Sequence, residues 1–145
     1  MTNRRKIPDK LRHIATIRER KARADASRAA RRVSDTQEEL TAIHVEHLNA
    51  EASVTGEQPV VDGALVQLLA LGRQVRGTRV AAKTTQLSEH SGALEECEDA
   101  HKGQLRERHY KERLYEHWRG VDRGDRESTE RKELDEISRL PESDD

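Results

Sequence analysis

The side chains best suited to metal binding or nucleophilic chemistry in this 145-residue chain are seven histidines, one cysteine and many carboxylates. His44 and His47 share a helical face, and Glu98 with His101 repeats the Glu-x-x-His spacing of di-iron bundles. Two such elements fall short of a four-helix ligand set, and solvated or seam-lining histidines are the plainer reading, so no metal and no cofactor are expected. Cys97 has no second thiol for an internal disulfide or a zinc ribbon, and reads as a small reduced packing residue. A phosphate-binding glycine loop, a nucleophile elbow and a paired zinc motif are all missing from the sequence. No catalytic residue is assigned, and the chain is not expected to be an enzyme.

Charge is the remaining chemical resource. Residues 1–32 carry twelve Lys or Arg against Asp9, Glu19 and Asp25, a net +9, so the rest of the chain carries −10 to give the overall −1. The acidic end follows Lys132, in Glu133, Asp135, Glu136, Glu142, Asp144 and Asp145, opposed by Arg139. The basic start, Arg4-Arg5-Lys6 through Arg31-Arg32, resembles the basic region that precedes a zipper in DNA-binding coiled coils. The seam that follows is short, however, and the acidic half offers local neutralisation, so nucleic acid is not the expected partner. An antiparallel hairpin would lay the acidic end beside the basic start, whereas a parallel homodimer would stack like charges. The expectation is an intramolecular pair, monomeric when free.

The elements that must position these groups follow from composition. Leu, Ile and Val number 27, too few for a globular core, while Ala, Glu, Lys, Leu and Arg supply 73 of the 145 residues, a long-helix composition. The prolines, Pro8, Pro59 and Pro141, leave long stretches free for helix. Residues 9–54 lack glycine and read as helix one; Thr55-Gly56-Glu57-Gln58-Pro59 is a stop. Helix two is expected at about 78–139, with a polar tail at 140–145. It is weakened by glycines, each costing up to about 1 kcal/mol relative to alanine. Pairs at i,i+4, such as Glu19/Arg23, Glu98/Lys102 and Glu107/Lys111, agree with helix.

Hydrophobic spacing supplies the seams. Val33, Thr36, Leu40, Ile43, His47, Ala50 and Val54 step by three and four, and the register extends back to Ala29, Ala26, Ala22 and Ala15. In the second segment Val80, Thr84, Leu87, Ser91, Leu94, Glu98, His101 and Leu105 keep a heptad step. The stripe then changes phase to Tyr110, Leu114, His117 and Val121. Ile14 and Ile17 fall outside the first seam, so either the register stutters, bringing Leu11 and Ile14 into it, or these residues face another protein.

A helix rises ~1.5 Å per residue, so the two segments would differ greatly in length. A separate short helical tip, within about 56–77 and ending near Gly72 or Gly77, removes the mismatch. It contains Val60 to Leu71, the most apolar stretch, which either caps the hairpin or docks a partner. The fold class expected is all-α: a long antiparallel two-helix coiled-coil hairpin, one domain, with a short helical segment at its tip. No apolar run is long enough to span a bilayer, and Met1 to Lys10 lacks the apolar region of a secretory signal, so a cytoplasmic protein is expected.

The layout resembles the FliJ/YscO stalk proteins of flagellar and virulence type III secretion. The most specific match is Glu130-Arg131-Lys132-Glu133-Leu134-Asp135-Glu136-Ile137, similar to that family's charged run ending in a Leu/Met-Asp-Glu-aliphatic step. Leu114-Tyr115-Glu116-His117-Trp118 also resembles the Leu-x-x-x-Trp that often precedes it. The resemblance implies a stalk inserted into a hexameric secretion ATPase and linked to the inner-membrane export gate, with export chaperones as further partners of some members. It implies ATPase contact by Leu134, Asp135, Glu136 and Ile137. Leu11, Ile14 and Ile17 join them by proximity across the expected hairpin. Val60, Val61, Leu65, Leu68 and Leu69, chosen as an apolar patch, are the candidates for the export gate or another partner. The rival class is a coiled-coil scaffold or chaperone-escort protein without an ATPase partner.

Overall fold

Arginine and alanine dominate the first third of the chain, and glycine does not interrupt it; such a sequence propagates helix once nucleated. In a computed structural model, α1 runs Asn3–Thr55 and α2 runs Gly63–Ser138, two long helices packed against each other. The structure describes the backbone of residues 3–55 and 63–139, and the side chains of residues 6–53 and 63–139. Val54, Val60, Val61 and the 140–145 tail lie outside the described side chains. Two boundaries differ from expectation. Pro8 lies inside α1. As the sixth residue of α1 it lies past the amides that lack an intrahelical acceptor and forfeits one backbone bond, to the carbonyl four residues earlier; this close to the helix start the loss loosens the first turn without ending the helix. The expected separate tip helix is not found, since α2 begins at Gly63 and continues through Gly72 and Gly77. The surrounding Ala, Leu, Val, Gln and Arg carry the helix across those glycines.

The helices divide into two units, Met1–Arg20 with Lys102–Asp145, and Lys21–His101. Within the second, α1 presents the expected seam: Ala29, Thr36 and Ile43 are buried, and Ala22, Ala26, Val33, Leu40, His47 and Ala50 are half-buried between them. Facing residues are tied by Thr36 with His90, Glu39 with Lys83, Glu46 with Arg79 and Glu51 with Arg73. Partner numbers in α2 therefore fall as those in α1 rise.

The α2 seam corrects the sequence reading in part. Val80, Leu87, Leu94, His101, Ser91 and Leu105 are half-buried as expected, but Thr84 and Glu98 are exposed. Lys83, His90, Cys97 and Gln104 occupy the intervening places, three residues after Val80, Leu87, Leu94 and His101 instead of four. Lys83 can do so because its methylene stem packs while its ammonium reaches Glu39. The expected change of phase is also absent. Arg108, Lys111 and Tyr115 continue the same step half-buried, while Tyr110, His117 and Val121 are exposed and Leu114 is half-buried beside the line. Polar and amphipathic residues carry the seam there, so hydrophobicity alone lost its trace.

Candidate protein-docking surfaces

In the unit that joins the ends of the chain, α1 continues the three-and-four step through Pro8, Arg12, Ala15 and Glu19. Ala15 is 2% exposed and Glu19 5%, so the register runs on without a stutter. Two charged residues hold it. Arg12 Nη2 donates to Asp9 Oδ1 at 3.2 Å, and its guanidinium lies 4.4 Å from the Tyr115 ring centroid, a cation–π contact. Arg108 Nη1 donates to Glu19 Oε2 at 3.4 Å while its Nε donates to Glu112 Oε1 at 3.1 Å. A guanidinium can serve two carboxylates at once because its donors point in fixed, divergent directions. A carboxylate this buried needs such a partner, because leaving water costs an ion far more than it costs a neutral group.

With the seam so filled, the aliphatic residues beside it remain outside. Leu11, Ile14 and Ile17 are exposed, and so are Leu134, Asp135, Glu136 and Ile137 near the end of α2. Leu134 and Ile137, 65% and 64% exposed, stand three residues apart and therefore share a helix face, with the two carboxylates between them in sequence. Both groups belong to one unit. Trp118, half exposed, stands edge-to-face with His117, at 6.2 Å between ring centroids. A cleft in the same unit is lined by Pro8, Asp9, Tyr115, Arg119, Asp122 and Arg126.

In the other unit Leu65 and Leu68 are exposed on the first turns of α2, and Leu69 is half-buried. The apolar stretch marked in the sequence ends at Leu71, and the surface continues past it to Val75, the one member the sequence reading misses. Leu71 and Val75 are 61% and 53% exposed, and with Ala64 and Leu68 they form a four-three-four stripe one position before the seam. That spacing was present in the sequence; assigning the stretch to a separate tip concealed it. On α1, Val45 and Leu48 are similarly exposed.

The two histidines that share a face of α1 are engaged within that helix. The Nδ1–H of His44 donates to the Leu40 carbonyl at 3.0 Å, and His47 Nε2 lies 3.3 Å from Glu51 Oε1. Among the described residues no three His, Cys, Asp or Glu side chains gather as a metal site would require. Among them, too, no helix is long and apolar enough to cross a membrane. Comparison of the chain with protein-family models, curated proteins and solved structures gives no match.

Proposed function

We propose that this chain is a non-catalytic stalk of a bacterial type III secretion apparatus, an antiparallel two-helix coiled-coil hairpin that binds the hexameric secretion ATPase and couples it to the export gate. The observation that carries the reading is the exposure of Leu134 and Ile137 in a charged helix end, in the same unit as exposed Leu11, Ile14 and Ile17. A two-helix pair has no further layer to cover such residues, so their retention at the surface favours a docking role. The 130–137 run that contains two of them also carries the resemblance to the stalk family. The other exposed stripe, on the first turns of α2, is then the surface for the export gate or an export chaperone. On this reading the protein works in the cytoplasm at the inner-membrane apparatus.

The test is binding to the cognate secretion ATPase. Stable association and altered ATP hydrolysis are expected, with Leu134→Asp weakening binding at least about ten-fold and preserving helicity, because Leu134 is 65% exposed. Absence of both binding and any change in hydrolysis would leave the scaffold or escort reading in its place.

A further inference from the structure

Around the seam of the unit containing both chain ends, the two flanks differ in kind. Residues one position after the seam are polar on both helices: Asp9, His13 and Thr16 on α1, His109, Glu112 and Glu116 on α2. Residues one position before it are mostly apolar: Ile7, Leu11 and Ile14 on α1, Leu114 and Val121 on α2 with Tyr110 and His117 interspersed, and Trp118, the exposed next member of the seam step, alongside. Arg12 faces Tyr115 and Glu19 faces Arg108, so partner numbers fall along α2 as they rise along α1. In that arrangement the positions preceding the seam on the two helices border the same side of it. Five of the six apolar residues are exposed, Ile7 at 60% and Trp118 at 50%, and Leu114 is half-buried. The pair is thus amphipathic across its width, with one flank wet and the other aliphatic.

The border of the aliphatic flank is basic. Lys10, Arg18 and Arg113 stand among or beside its residues, with Glu107 as an opposing carboxylate. A second copy of this chain folded onto the same flank would set these cations against their own equivalents. We propose that this flank receives one amphipathic helix of a partner protein, whose apolar stripe covers Ile7, Leu11, Ile14, Leu114, Trp118 and Val121 and whose acidic borders meet Lys10, Arg18 and Arg113. The groove between two packed helices is the natural seat of a third, and opposite charge at its rim sets orientation and rejects basic competitors. The proposal rests on the stalk reading only in sharing Leu11 and Ile14 with the suggested ATPase contact.

Trp118 is the sole tryptophan and gives a direct readout. The full chain is titrated with a tryptophan-free helical peptide that has leucines at heptad a and d positions and glutamates beside them, and with a twin carrying lysine for each glutamate. The expected result is a saturable blue shift of Trp118 emission, with the glutamate peptide bound at least about ten-fold more tightly near physiological salt. Ile14→Ser and Val121→Ser each weaken binding about ten-fold, whereas His13→Ala on the opposite flank leaves it unchanged. Circular dichroism confirms that each variant keeps its helices. No shift, equal affinity for the two peptides, or undiminished binding by both serine variants would overturn the proposal. Light scattering that shows a dimer competing with the peptide would overturn it in favour of a second copy. No ATPase is present, so failure here leaves the stalk reading standing, and failure to bind ATPase leaves this site standing.

Discussion

Thr36 shows how one residue can specify register in a seam poor in apolar matter. It is 3% exposed, and its hydroxyl donates to the Arg32 carbonyl at 2.8 Å. With its proton so committed, Oγ1 accepts from His90 Nδ1–H at 3.0 Å, which fixes the proton of that ring on Nδ1. Thr36→Val keeps the shape and removes the acceptor, leaving a ring donor in the seam without that partner. A loss of about 1–2 kcal/mol in urea unfolding is expected, together with a changed ¹⁵N signal at His90 Nδ1. Glu19 and Arg108 act in the same way at the other unit, as a polar pair that fits in one alignment only. Neither pairing was legible beforehand. The sequence reading places Thr36 in the seam by its spacing, yet pairs Glu19 with Arg23 along its own helix and gives Arg108 no role.

At the scale of the element, α2 carries more glycine than helix propensity favours. At Gly92 and Gly103 an added methyl group would meet no atom within 4 Å. The packing of this chain does not require a bare backbone there. Gly92→Ala and Gly103→Ala should each stabilise the fold by about 0.5–1 kcal/mol and add nearly independently, raising the thermal midpoint followed by circular dichroism. A fall in the midpoint would mean that bending at these sites relieves strain elsewhere in the helix. The seam of α1 makes the opposite choice, using alanine at 15, 22, 26 and 29, where a small side chain lets the facing helix approach and still favours helix.

For the whole molecule, the balance of forces is set by scarcity. Among the described residues Ala15, Ala29 and Ile43 are the buried apolar side chains, and two of the three are alanines. Burial at about 25 cal/mol per Å² therefore contributes little, and the fold depends on long helices with many weak lateral contacts. The prediction at this scale is a monomer of 16.6 kDa by light scattering with high helicity by circular dichroism at the same concentration. A helical dimer that loses helicity on dilution would instead return the molecule to the zipper class. The exposed aliphatic residues on both units predict that partners raise stability substantially, as any ligand of the folded state must.

The all-helical character, the α1 seam and the sorting of charge were determined by the sequence alone, because each is a matter of spacing along one chain. The heptad step from Ala15 to Ala50 appears in the packing without a shift. The tertiary structure decided what a hydrophobicity pattern cannot encode. Lys83 and Cys97 enter the second seam where Thr84 and Glu98 are expected, and His90 and Gln104 join Ser91 and Leu105 in it, because a facing helix selects side chains by reach and hydrogen bonding as well as by polarity. It also decided the fate of Leu11 and Ile14. Once Arg12, Ala15 and Glu19 fill the contact, those two must lie on its flank, and an aliphatic flank with a basic border exists only when two helices are brought side by side.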